Sequence, residues 1–249
     1  AVIKGRHSSF LLKDTVDLID SKKVAILGGG MATGAGAQAN SDSVSIDLAK
    51  GTVNGNVFGG GAATFSGKTN VKEVSITLNG ATVNGDIYAG GLAGSKRNDV
   101  VDRSWYHNAE SSVETATLTL LSGTINGNVY AGGAVYDEES QKSPSSTVKE
   151  STIEIGSDLQ FGENAKTVDG QGADTSHLKF SGDVDMTGKS VIGFNTIQGN
   201  GTSGIDYSFG NKASTDVIGA SVNFASVDKD AEDKVLNVGN EDATGIASI

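Results

Sequence analysis

The sequence predicts an all-β chain wound as a parallel β-solenoid. Three observations predict it: a gapless internal repeat, strict period-two alternation within each repeat, and a glycine-rich, proline-poor composition. The repeat is the strongest of the three. VSIDLAKGTVNGNVFGGGA from Val44, VSITLNGATVNGDIYAGGLA from Val74 and ATLTLLSGTINGNVYAGGAV from Ala116 align without gaps. Val53, Val83 and Ile125 correspond, as do Val57, Ile87 and Val129. The copies lie 30 and 42 residues apart, so the unit is constant and its connector varies, the mark of a repeat architecture.

The first half of each unit alternates apolar and polar residues: Val44, Ile46, Leu48; then Val74, Ile76, Leu78; then Ala116, Leu118, Leu120. Period two is a strand with one buried face. The second half places Asn-Gly between two short β-favouring pieces, which read alone signals a hairpin and a meander of antiparallel strands. The other reading makes Asn-Gly a bend within one coil of a parallel stack. Stacking explains what a meander leaves unexplained, the recurrence of one residue type at one place. Coils about 4.8 Å apart set Asn54, Asn84 and Asn126 in one amide ladder and Phe58, Tyr88 and Tyr130 in one ring ladder. The 35 glycines and the single proline, Pro144, suit such a ladder with many corners, because proline cannot donate to it. At 6% aromatic content, a core built on large rings is not expected.

The chain reads as one elongated domain. Residues 1–175 carry the repeat, with polar insertions expected at 92–111 and 134–150. Residues 176–249 continue in coils of about 15–20 residues, through LKFSGDVDMTGKSVIGFNTIQG and the runs at 205–209, 217–224 and 234–238. STIEIGSDLQF from Ser151 is expected to be a degenerate fourth copy. Upstream, AILGGGMAT from Ala25 aligns with NVFGGGAAT from Asn56, so Gly28–Gly30 open no phosphate loop. A dinucleotide fingerprint needs G-x-G-x-x-G entering a helix; here the third glycine is missing and no helical face follows.

The repeat unit, followed by LKFSGDVDMTGKSVIGFNTI, resembles the passenger region of bacterial autotransporters and related β-helical adhesins over about residues 20–200. That resemblance implies a right-handed parallel β-helix with irregular loop insertions on one side, secreted through the outer membrane and displayed at the cell surface. The family's C-terminal translocator barrel is expected to lie outside this sequence, whose end at Ile249 carries no polar cap.

The net charge is −11, from 30 acidic and 19 basic residues, which disfavours nucleic acid as a partner. There is no cysteine, hence no disulfide framework or thiolate metal site. No segment reads as a signal peptide or a membrane-spanning helix.

Enzyme chemistry on a β-helix would need converging carboxylates, as in polysaccharide lyases and glycoside hydrolases. Asp183 and Asp185 are two apart on an expected strand and so share a face, and Asp102 and Arg103 lie in the long insertion. The simpler expectation is that these acids are solvated. His7, His107 and His177 show no metal-ligand or triad spacing, and DGQGAD at 169–174 occurs once, as a turn does. No cofactor or metal site is expected. The candidate contact loop is the insertion holding Arg103, Trp105, Tyr106 and His107. Its aromatics beside charges suit a sugar or protein partner, or Trp105 folds back onto the coils. The expected function is non-enzymatic adhesion to a host or bacterial surface protein or glycan. A carbohydrate-active β-helix and a purely structural spacer are the alternatives.

Overall fold

The computed structural model describes residues 2–12, 24–34, 36–94, 109–136, 144–199, 201–219, 222–228 and 233–239. Strands and turns account for these residues, with no helix among them. Every strand pairing is parallel, so Asn-Gly does not close a hairpin here. The chain visits three sheets in turn and returns to the first, an arrangement consistent with a β-solenoid.

The long sheet runs Val2–Leu12, Gln38–Leu48, Lys68–Val83, Glu110–Ile125, Ser145–Phe161, Ala173–Ser181, Thr196–Gln198, Ser214–Ile218 and Val235–Val238, with Thr52–Val53 beside Lys68–Val83. The second sheet begins Val24–Leu27, Asn56–Phe58, Ile87–Tyr88, Val129–Tyr130 and continues to Val222–Val227. The third holds Met31–Thr33, Ala62–Thr64, Leu92–Gly94 and Ala134–Tyr136.

The register is that of the sequence repeat. Val44 pairs with Val74 and Val74 with Ala116; Ile76 pairs with Ile46 and Leu118; Val83 with Val53 and Ile125; Ile87 with Val57 and Val129. These residues stack inside one continuous core and are almost wholly buried. Long strands turn toward the second sheet at Gly80 and Gly123, whose φ of 112° and 108° only glycine adopts readily. Ser151–Phe161 forms the expected further copy, Ile153 and Ile155 under Leu118 and Leu120. At the first coil Ile26 and Leu27 pair with Val57 and Phe58, as aligned, but Val24 rather than Ala25 faces Asn56, leaving Ala25 as a bulge.

Below Tyr136 the described strands add nothing to the third sheet, and the coils shorten. Leu178, Ile197, Val217 and Val238 stack 19, 20 and 21 residues apart, at and just above the expected pitch. Here large rings do enter the core, against expectation: Phe180, Phe194, Tyr207 and Phe209 are all buried. A coil that lacks a third strand brings its remaining faces together around fewer residues, and rings fill that space.

The corner glycines proved necessary for a different reason than the expected turn. Gly28, Gly29, Gly59, Gly60 and Gly90 have no left-handed φ. A Cβ on Gly29, Gly60 or Gly90 would stand 2.6–2.7 Å from the backbone nitrogen of the next coil's glycine. Close stacking of backbone on backbone excludes any side chain there.

Candidate functional site: the insertion corner

The described residues that flank the two expected insertions lie at the same corner of consecutive coils, between the third sheet and the long sheet. In the two coils above, that corner is tight. Ala37 N–H donates to Gly34 O at 3.1 Å, and Gly67 N–H to Thr64 O at 3.0 Å. The second turn uses Phe65 and Ser66 at φ 51° and 70°. In the next two coils, residues 95–108 and 137–143 replace these turns. Both leave from paired residues, Gly94 beside Tyr136, and return at paired residues, Glu110 beside Ser145. Arg103, Trp105, Tyr106 and His107 lie outside the described residues.

The insertions are shorter than the expected 92–111 and 134–150. Leu92–Gly94 and Ala134–Tyr136 are strands of the third sheet, and Glu110, Ser111 and Ser145–Glu150 belong to long-sheet strands. The flanks mislead because serines take inward positions. Ser111 Oγ donates to Gly61 O at 2.9 Å and Ser146 Oγ to Gly91 O at 2.8 Å, so each hydroxyl satisfies a corner carbonyl and needs no apolar replacement.

Beside the return points lies a groove of about 260 Å³ running across four coils. Asn40, Lys68, Asn70, Glu110, Ser112 and Thr147 line it. Lys68 and Glu110 form an ion pair at 2.8 Å, and Ser112 Oγ donates to Asn70 Oδ1 at 3.3 Å. Amides, hydroxyls and one ion pair can hydrogen-bond a polar or hydroxyl-rich ligand.

Both expected ladders form. Asn84 Nδ2 donates to Asn54 Oδ1 at 2.7 Å and Asn126 Nδ2 to Asn84 Oδ1 at 2.8 Å. Phe58 and Tyr88, then Tyr88 and Tyr130, stack with centroids 4.6 Å apart and ring planes within 7°. Because Val57 points into the core, Phe58 points away from it. The ring ladder therefore fills an outer angle against Ala62 and Leu92 of the third sheet, with Leu27 and Tyr136 alongside.

Sequence reasoning missed a third ladder at the Asn/Asp position of the unit. Asn56 Oδ1 accepts from Asp86 N at 2.8 Å, Asp86 Oδ1 from Asn128 N at 2.7 Å, and Asn128 Oδ1 from Lys166 N and Thr167 N at 3.0 Å. Only an acceptor is required there, which is why Asn and Asp interchange; that interchange was the signal available. Tyr88 Oη donates to the second oxygen of Asp86 at 3.1 Å, and Asn128 Nδ2 donates to Tyr130 Oη at 3.3 Å. Burial, and for Tyr88 next the Asp86 carboxylate, push both phenols above their usual range. Each phenol is tied to the acceptor ladder by a hydrogen bond.

Asp183 and Asp185, considered for catalysis, both face solvent. Asp183 precedes the strand Asp185–Ile192, and the two carboxylates stand exposed on either side of buried Val184, as solvated acids; Asp102 lies outside the described residues. Asp185 Oδ1 accepts from Thr187 N at 2.9 Å, and the Thr187 hydroxyl first, then this backbone contact, hold its carboxyl below the usual range. DGQGAD is a turn, with Gln171 N–H donating to Asp169 Oδ1 at 2.7 Å. His7 and His177 bond Ser43 and Thr196 on neighbouring coils, and His107 lies outside the described residues. Among the described residues no three His, Asp or Glu side chains are placed to hold a metal ion.

These features define a class by architecture: an all-strand chain of parallel sheets, without a closed barrel, whose coils are joined by side-chain ladders. No family model, curated protein or solved structure matches the chain.

Proposed function

We propose that this chain is a non-enzymatic, surface-displayed β-solenoid, a right-handed parallel β-helix of the autotransporter-passenger kind, that acts in adhesion. The observation that carries the reading is the insertion corner. A turn made tightly in two coils is replaced in the next two by segments of 14 and 7 residues, anchored on paired strands. Surface segments held at one place on a stacked frame are a common way to build a binding face. The ladders supply stiffness, and the insertion around Trp105 with the adjoining polar groove supplies contacts. The partner is a host or bacterial surface protein or glycan.

The test replaces residues 95–108 by the tight turn of the coil above and measures cell attachment and thermal stability together. Residues 109 and 110 stay, because Ala109 is buried and Glu110 opens the long-sheet strand Glu110–Ile125. Attachment lost with the melting temperature unchanged supports adhesion. Attachment unchanged overturns it in favour of a spacer, and release of sugars from a polysaccharide panel by the intact chain would favour the enzyme reading.

A further inference from the structure

Charges on the outer face of the long sheet are ordered from coil to coil. Two residues before each of Val44, Val74, Ala116, Ser151 and Ser176 stand Asp42, Lys72, Glu114, Lys149 and Asp174. Register pairs on either side bracket each one: Ser41–Val71 and Ser43–Glu73, Val71–Val113 and Glu73–Thr115, Val113–Val148 and Thr115–Glu150, Val148–Ala173 and Glu150–Thr175. The five therefore form one column, and its sign alternates at every coil. Arg6 occupies the same position one coil earlier, between the pairs Gly5–Ser41 and His7–Ser43.

The rest of the face obeys the same rule. Lys72 and Asp42 form an ion pair at 2.7 Å, Lys68 and Glu110 at 2.8 Å, and Lys179 and Glu154 at 3.5 Å, each joining adjacent coils. Where acids recur in one column a neutral residue separates them, as Thr115 separates Glu73 from Glu150. Among the registered pairs of the long sheet no two like charges face each other. In a chain of net charge −11, a like-charge contact would be the easier outcome.

We infer that this alternating column is a register lock, which makes each coil accept its sequence neighbour and reject the coil one further along. The repeats make such a lock useful. Their apolar positions are nearly interchangeable, so the core alone would let one coil stack on the wrong copy, within the chain or between chains. Skipping one coil would set Asp42 against Glu114, or Lys72 against Lys149. Opposite charges then meet in the correct order, and like charges oppose every one-coil skip. Each exposed pair adds little to stability; its effect lies in the difference between right and wrong stacking.

The test compares refolding of four full-length chains at low and high salt. K72E places three acids in sequence down the column. K50E makes the same charge change at an exposed position off the column. The inversion R6E/D42K/K72E/E114K/K149E with D174N restores alternation with opposite sign. The expected result is that K72E alone refolds in lower monomer yield at low salt, loses roughly 2–4 °C of melting temperature, and recovers yield as salt screens the column. The inverted chain matches the wild type in monomer yield. If K72E and K50E behave alike, or the inverted chain misassembles as K72E does, the lock does not exist.

Discussion

Gly59 and Val74 are fitted to each other: a Cβ on Gly59 would stand 2.3 Å from Val74 Cγ1. The coil above repeats the arrangement with Gly28 and Val44, at 2.5 Å. In the next coil down the equivalent positions are Ala89 and Ala116, and both are buried in the same core. A larger residue on one side thus goes with a smaller one on the other. Gly59→Ala should cost about 1–3 kcal/mol by overpacking. Adding Val74→Ala should return part of that loss, because it recreates the combination one coil below. Full recovery is not expected, since the new Cβ also approaches Ala89 O at 2.7 Å. A double-mutant cycle from denaturant melts measures the coupling, expected at about 1 kcal/mol or more; zero coupling would refute the fit.

The amide ladder and the acceptor ladder should respond oppositely to Asn/Asp exchange. Asn84 both donates to Asn54 and accepts from Asn126. Asn84→Asp turns a carboxylate toward Asn54 Oδ1 and should cost about 1–2 kcal/mol at pH 7. Part of that loss should return as acid protonates the new carboxyl. Asp86 only accepts, from Asn128 N and Tyr88 Oη. Asp86→Asn should stay within about 0.5 kcal/mol, while Asp86→Ala should cost about 1–3 kcal/mol by leaving a backbone N–H without its acceptor. Equal costs for Asn84→Asp and Asp86→Asn would contradict the assignment.

Burial holds the Asp169 carboxyl above its ordinary range, although Gln171 donates to it. The folded chain then binds this proton more tightly than the unfolded chain does. Its contribution to stability is greatest at low pH and falls as pH rises from about 4 through the raised folded value. Asp169→Asn keeps the acceptor for Gln171 and removes the charge. The difference between mutant and wild-type melting temperatures should therefore grow in the mutant's favour as pH rises over that window. A difference that is flat with pH would show that the carboxyl is not perturbed.

Much of the fold was legible because the copies agree in type and spacing. Ile46, Ile76 and Leu118 announced the core column, and Asn54, Asn84 and Asn126 announced the amide ladder. What escaped notice was written in exceptions to apolar patterning. Ser111 and Ser146 read as loop because they are polar, yet each serves an inward strand position by bonding a glycine carbonyl. The third sheet was hidden because Ala62–Thr64 and Leu92–Gly94 are too short to show a period. Asn56, Asp86 and Asn128 varied between two residue types, so their shared role as acceptors was not apparent until the coils were stacked. Alternation of sign from Asp42 to Asp174 lay two residues upstream of the aligned starts, and charges are read along a strand more readily than across coils. The candidate contact residues were least legible, since insertions carry no repeat against which to read them.

Each coil pairs in parallel register with its immediate sequence neighbour, and the absence of native cysteine allows the pairing to be read by cross-linking. Ser45, Ser75 and Thr117 are exposed and stack in one column of the long sheet. Adjacent positions lie about 4.8 Å apart, within disulfide reach, while positions two coils apart exceed the limit of about 7 Å between Cα atoms. Oxidation of dilute, folded double-cysteine chains, with free thiols counted by mass spectrometry, reads the register. An intramolecular disulfide is expected in Ser45→Cys/Ser75→Cys and in Ser75→Cys/Thr117→Cys, and free thiols in Ser45→Cys/Thr117→Cys. A disulfide in the last variant with free thiols in the first two would contradict that register.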